Sequence, residues 1–412
     1  MKHFIKYLLI IPILLMTSCW SSHFNDSTKE TATISSDIFN ESSEPRIQSK
    51  SNNADSSFYG VSSSLSSQSF SEQSSSIEES YSSSSHSSSD ENYSSDPDVH
   101  LKYYFLTDFH INFEKDLISC QEILTDVVQK ANDNDADFIC IGGDFTSLYF
   151  ETKEEWNTWI HRILSPLTSC NKPVFILSGN HDDNSNLHDG VYGGPFLVSN
   201  KDWNDCVLNQ FINVDIVHDS DNDYSKYYHY DIYKNNTTYR IVCLDSSDRP
   251  ESTTNRNHWG FSERQVEWLD EQVLADDGYK YVLLSHMPID KEYNSDKLSN
   301  YPSCDEMLQV VKNHQNKNHN ILINSFAHLH LRLLVLSDFG LPYSCSPTLF
   351  RGGDGEISVV GDYIFGWINN PNLGWEPVSK ETIYYSYDYF VIKKTSVHRY
   401  AIGAGNDKTL YL

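Results

Sequence analysis

The sequence predicts an α/β domain with two sheets, preceded by a long N-terminal stretch of different material. Three observations predict this. From about residue 100 to 182, apolar runs of strand length alternate with amphipathic stretches in the order β-α-β-α-β, which builds a mainly parallel sheet. Between about 226 and 330, a hairpin-like pair is followed by further strand–helix alternation, enough for a second sheet. The last part is rich in aromatic and β-branched runs ("ETIYYSYDYFVIKKTSVHRYAIG"), which reads as antiparallel strands to the end.

The chain has 412 residues and a formal net charge of −27. Such acidity repels a phosphate backbone over most of a surface, so no stable nucleic-acid partner is expected. The N-terminus reads as an export signal. Lys2 and Lys6 precede the apolar run "YLLIIPILLM", which is too short to read as a spanning helix. The run leads into Leu15-Met16-Thr17-Ser18-Cys19, which resembles a bacterial lipobox. That resemblance implies removal of residues 1–18, lipid on Cys19, attachment to the membrane through that lipid, and residence on its outer face. Residues 19–99 are dominated by serine and hold too few apolar residues for a core, so a disordered linker is expected. A flexible coil of that length reaches roughly 50 Å. The seven cysteines after Cys19 form no C-x-x-C pair, and Cys140 and Cys243 lie inside apolar runs as small core residues.

The folded part, 100–412, follows in order. "LKYYFLTDFH" reads as a buried strand ending in polar residues. "EKDLISCQEILTDVVQKAND" has helical spacing, with Leu117, Ile118, Ile123, Leu124, Val127 and Val128 on one face. "ADFICIGGD" is a second strand, "TKEEWNTWIHRIL" a helix capped by Thr152, and "KPVFILSGNHD" a third strand. "YYHYDIYKNNTTYRIVCLDSS" reads as two strands joined by an Asn-rich turn. In "SERQVEWLDEQVL", Ser262 is the expected N-cap and Gln265 stands at capping-box spacing. "YKYVLLSHMP" is a strand, "CDEMLQVVKNH" a helix and "NILINSFAHLH" a strand.

The strand ends share one chemistry. They carry Asp108 and His110, then Asp144, then Asn180, His181 and Asp182, then His286, then His328 and His330. The C-terminal edge of an open α/β sheet is where ligands bind. Carboxylates, an amide and several imidazoles suit divalent cations such as Mn, Fe, Zn or Co. Residues two apart, as in Asp108/His110 and His328/His330, point to opposite faces of a strand, so they converge only where the backbone turns. Gly142, Gly143 and Gly179 suit such turns.

D-x-H, G-D, G-N-H-D, H and x-H-x-H, in this order between about residues 101 and 335, resemble the five blocks of calcineurin-like metallophosphoesterases. "FSERQVEWLDEQV" is similar to a helix of that family between its third and fourth blocks. The resemblance implies a four-layer α/β/β/α sandwich with two mixed sheets. It also implies two divalent metal ions. Asp108, His110, Asp144 and His330 would hold one, and Asp144, Asn180, His286 and His328 the other. His181 would face the leaving group of a phosphate ester, with Asp182 orienting His181 or an adjacent ligand. The implied reaction is phosphodiester or phosphomonoester hydrolysis by a hydroxide shared between the metals. The chain departs from the family pattern in one block, where Ala327 stands for the usual glycine. Alanine disfavours positive φ, so the placement of His328 is expected to suffer. The Asp-Arg-Gly that follows the second block in Ser/Thr protein phosphatases is absent. Ser147 occupies the position of the iron-binding tyrosine of purple acid phosphatases. Arg249, Arg256, His258 and Trp259 are candidates for substrate contact in a loop expected to flank the metals. The competing reading is a catalytically silent fold of the same family, serving as a binding module of the cell envelope.

Overall fold

The computed structural model describes residues 96–133, 136–185, 195–248, 260–293, 304–349, 385–403 and 405–412. The signal-like segment, Cys19 and the serine-rich stretch up to residue 95 lie outside them.

The first half follows the expected alternation. It comprises β1 (Val99–Leu106), α1 (Glu114–Asp133), β2 (Phe138–Ile141), α2 (Lys153–Leu164) and β3 (Val174–Ile176). The two short helical pieces α3 (Asn200–Trp203) and α4 (Asn209–Phe211) come next, joined by a π turn over Asn204–Leu208. The second half runs β4 (Val217–His218), β5 (Tyr228–Lys234), β6 (Thr237–Leu244), α5 (Glu263–Trp268), β7 (Lys280–Ser285), α6 (Cys304–Asn318) and β8 (Ile321–Phe326). It then continues through β9 (Leu333–Leu336), β10 (Pro342–Cys345), β11 (Ser386–Lys393), β12 (Ser396–Gly403) and β13 (Lys408–Tyr411).

Two mixed sheets result, ordered β13-β12-β11-β1-β2-β3 and β4-β5-β6-β7-β8-β10-β9. In the first, β1, β2 and β3 are parallel and β11 to β13 extend it antiparallel. In the second, β6, β7, β8 and β10 are parallel. Strand alternation divides the core into layers. Ile241, Cys243, Val282 and Leu284 face the first sheet, whereas Val242, Leu244, Tyr281 and Leu283 pack under α5 and α6 with Trp268, Met307 and Val311. Helices α1 and α2 cover the outer face of the first sheet with Leu117, Leu124, Trp156 and Ile160. The architecture is therefore the expected four-layer α/β/β/α sandwich. The seven cysteines of the described residues are free, and Cys140 and Cys243 are buried in the core as expected.

Local details match the sequence in part. Thr152 closes a full capping box with Glu155. The hairpin between β5 and β6 turns on Asn235 and Asn236, both at positive φ (51° and 58°), which favours asparagine in a two-residue turn. Ser262 caps α5 as expected, accepting the Gln265 N–H at 3.1 Å, but the Gln265 side chain does not return to the cap. It turns inward, to Asp245. In α1 the buried face is Leu117, Cys120, Leu124, Val127, Val128 and Ala131; Ile118 is 51% exposed and Ile123 half-buried. The stripe passes through the small residues Cys120 and Ala131, which turns Ile118 out to solvent.

Strand β3 is the edge of the first sheet, so its outward backbone groups need other partners. The buried Tyr228 hydroxyl supplies them from the second sheet, accepting from Ile176 N at 2.9 Å and donating to Ile176 O at 3.0 Å. Tyr228→Phe should therefore destabilise the fold by about 1–3 kcal/mol. The check is a lower urea midpoint with an unchanged slope; an unchanged midpoint would show that this contact between the sheets contributes nothing.

Candidate metal centre

The parallel strands of both sheets end on one side, and their loops meet there. After β1 the chain continues through Asp108 and His110, after β2 through Asp144, and after β8 through His328 and His330. All five adopt left-handed backbone conformations, with φ between 46° and 69°. This conformation lets residues two apart converge on one point. It costs on the order of 1–3 kcal/mol at each non-glycine position and persists only where the surroundings over-determine it. Here they do. Beyond the strands, Asp108 N donates to Gly143 O (3.0 Å), His110 N to Asp144 O (3.0 Å) and Ile111 N to Phe145 O (3.1 Å). Positive φ falls on His328, not on Ala327, so the expected disturbance from alanine does not arise. Ala327 is buried, and its N–H donates to His286 O at 2.8 Å. Gly179 is required by close approach: a Cβ there would lie 2.2 Å from Asp144 Oδ1.

The side chains form two clusters joined by Asp144. In the first, His330 Nε2 lies 3.2 Å and His110 Nε2 3.7 Å from Asp108 Oδ1, and the two Nε2 atoms are 3.0 Å apart. In the second, His286 Nε2 lies 3.2 Å from Asp144 Oδ2 and 3.1 Å from Asn180 Oδ1, and His328 completes the group. Asp144 Oδ2 also faces His110 Nε2 at 3.6 Å and His181 Nε2 at 3.9 Å. Its other oxygen accepts the His181 backbone N–H at 2.8 Å.

Neighbouring groups orient these donors. His286 Nδ1 must carry a proton, because it lies 2.7 Å from Gly142 O, which only accepts; Nε2 is thereby turned to the site. Ser147 Oγ occupies Nδ1 of His110 at 2.8 Å. Sequence reasoning saw in Ser147 only the absence of a tyrosine. Its position three residues past Asp144, next to the Thr146 that bridges Ile111, is the available signal. Asp182 is buried and accepts the N–H groups of Asp144, Phe145 and Gly179, each at 2.8 Å. It thus holds the backbone of Asp144 in place. Burial and Asp144 push its carboxyl up to about 7, while those N–H donors pull it down.

Residues 101–332, more than half of the chain, match the family of calcineurin-like phosphoesterases. The chain belongs to that family. No curated protein matches it significantly. Among solved structures, this phosphoesterase is similar to a dimetal phosphatase from Danio rerio, with 14% identity and a TM-score of 0.52 over 76% of this chain and 99% of the other. It is also similar to the anchor in the inner membrane complex of Plasmodium (10% identity, TM-score 0.40, 76% and 89% covered). A third is the 5'-nucleotidase of Candida albicans (14% identity, TM-score 0.36, 60% and 46% covered). At 14% identity the likeness to the dimetal phosphatase speaks for the fold alone.

The residues of this phosphoesterase fit divalent cations. Donors bound to one cation at about 2.1 Å sit about 3.0–3.4 Å apart at octahedral to tetrahedral angles, and the closest pairs in both clusters lie at 3.0–3.2 Å. Asp108 Oδ1 is fully buried, and the groups facing it are the imidazoles of His330 and His110, neither in good hydrogen-bond geometry. Burial opposes charge on Asp108, yet His330 and the other imidazoles hold it well below the usual carboxylate range. Burial likewise opposes charge on His286, and Asp144 overcomes it, lifting the imidazole to about 10. His328 is pushed down to about 3 by burial, with His286 acting in the same direction, so it remains a neutral donor. Asp108 and Asp144 draw protons onto two of the imidazoles, His286 and His330, which marks room for positive charge beside the carboxylates. Arg249, Arg256, His258 and Trp259 lie outside the described residues, as does Cys19.

Asp144→Asn should weaken Mn²⁺ binding at both clusters, whereas His330→Ala should abolish one equivalent and keep the other. Metal analysis after equilibrium dialysis reads the difference. Equal losses in the two variants would contradict the shared position of Asp144.

Proposed function

We propose that this chain is a metal-dependent phosphoesterase that hydrolyses a phosphodiester or phosphomonoester at a dinuclear centre. The observation that carries the reading is Asp144, which stands between two imidazole clusters with one oxygen facing both. Asp108, His110 and His330 would hold one cation, and Asn180, His286 and His328 the other, with Asp144 shared. Such a pair supplies charge neutralisation for the phosphoryl oxygens and an acidified water as nucleophile. The chain's residues do the rest. His110, His181 and His330 have side chains 19%, 25% and 28% exposed, while Asp108, Asp144 and His286 are covered. The ester therefore approaches from the side of those three imidazoles. Burial pushes His181 down to about 4 against the pull of Asp144, so it enters neutral. An anionic phosphate beside it favours its charged form, so His181 would take up a proton from solvent as the ester binds and give it to the leaving oxygen, returning to neutral. A silent fold would draw support from an alanine that displaces His328, but φ at Ala327 is not positive, and nothing else among the described residues favours that alternative.

The reading includes export. The apolar run, the lipobox-like Cys19 and the serine-rich span support an enzyme tethered by lipid to the outer face of the membrane, with residues 100–412 as its catalytic domain. Cys19→Ala should move the protein from the membrane to the soluble fraction; retention in the membrane would remove the tether from the account.

Hydrolysis of bis-p-nitrophenyl phosphate and p-nitrophenyl phosphate with added Mn²⁺ tests the activity, with Asp144→Asn as blank. Turnover that survives in the blank would overturn the assignment. His181→Ala should retain metal and lose roughly 10²–10⁴-fold in rate on an alkyl ester. The loss should be smaller on a nitrophenyl ester, whose leaving group needs no proton. Equal losses on both would remove His181 from proton transfer.

A further inference from the structure

The end of β6 carries none of the proposed metal ligands, yet it is polar and buried: Asp245, Ser246, Ser247 and Asp248 follow Leu244 in the interior. Burying such groups is costly unless each is hydrogen-bonded. β6 runs parallel to β7, with Leu244 beside Ser285, so its end lies beside the strand end that carries His286. The Ser246 hydroxyl accepts the N–H of Met287, the residue after His286, at 3.0 Å. The His286 carbonyl in turn accepts the N–H of Ala327, the residue before His328, at 2.8 Å. Ser246 is held from behind by α5. Gln265, fully buried, accepts the Asp245 N–H at 2.9 Å with Oε1. With Nε2 it donates to Asp245 O at 2.9 Å and to Asp248 Oδ2 at 3.2 Å. One amide thereby clamps both peptide groups that flank Asp245.

We propose that Ser246 and Gln265 are positioning residues for one half of the metal centre, fixing His286 and, through its carbonyl, His328. The other half has separate supports: Ser147 on the His110 ring and Thr348, which donates to the Asp108 carbonyl at 2.6 Å. The effect of losing Ser246 is therefore asymmetric. This gives a task to the stretch "FSERQVEWLDEQV", whose glutamine reads from sequence as a helix cap. The inference rests on the two-cation reading above and deepens it.

The test measures Mn²⁺ affinity by calorimetry on the purified full chain, in two backgrounds that each retain one half. In the His330→Ala background, which keeps the Asn180–His286–His328 half, Ser246→Ala should weaken the remaining equivalent by roughly 10–100-fold. In the His286→Ala background, which keeps the Asp108–His110–His330 half, Ser246→Ala should leave affinity within about twofold. Gln265→Met, similar in length and without the amide, should repeat the pattern. Equal weakening in both backgrounds would mean a general loosening of the fold, and no weakening in either would mean that Met287 needs no anchor. Both outcomes overturn the inference while leaving two-cation binding intact. Failure of the unsubstituted chain to bind Mn²⁺ would be a different result, overturning the dinuclear reading and this inference with it.

Discussion

Two carboxylates buried where two sheets meet govern the structure around them. Asp108 and Asp144 sit out of water, and among the described residues their ion-pair partners are all imidazoles. A buried anion without compensation is too costly to keep, so positive charge must be supplied at that point. Arginine or lysine would fill the space permanently. Histidine does not, because it can be neutral and donate a lone pair instead. The composition of the centre follows: acids fixed at the middle, neutral-capable bases around them, and cations as the natural third component.

The same constraint explains the backbone. Asp108, His110, Asp144, His328 and His330 adopt left-handed conformations, the strain of which a fold keeps only when several strand ends hold it in place. The loops after β1 and β2 remain hydrogen-bonded to each other past the strands, and Asp182 fastens the amides of Asp144 and Phe145 from below. The glycines divide the work: Gly143 turns the chain at φ 94°, whereas Gly179 answers a close approach. Gly179 exists because the Asp144 carboxylate occupies the place of its side chain. An acidic surface would repel an anionic ester at long range, so binding depends on what the centre itself holds.

Much of this was legible in the sequence because strand ends are local. D-x-H, G-N-H-D and H-x-H place their donors within a few residues of an apolar run, and the need for a turn between residues two apart follows from strand geometry alone. The turn was placed only in part: Gly143 does supply a positive φ (94°), but Asp108, His110, Asp144, His328 and His330 adopt it themselves, and φ at Ala327 is not positive, which is why the alanine is harmless. The supports were less legible. Ser147 and Gln265 act across the fold, 37 residues from His110 in one case and 20 from Asp245 in the other, on partners no local pattern names. The outward turn of Ile118 and the broken helix over residues 200–211 were not legible for another reason. A face completed by Cys120 and Ala131, and a helix interrupted by a π turn, both depart from the regular apolar spacing used to find them.

The central claim is that one carboxylate joins two cation positions, and electron paramagnetic resonance of the protein titrated with Mn²⁺ tests it most directly. At two equivalents the account predicts the spectrum of an exchange-coupled Mn(II) pair, because cations that share Asp144 would stand only about 3.5–4 Å apart. Two equivalents giving superimposed signals of isolated Mn(II) ions would contradict it, and would leave two separate sites where a single dinuclear centre is claimed.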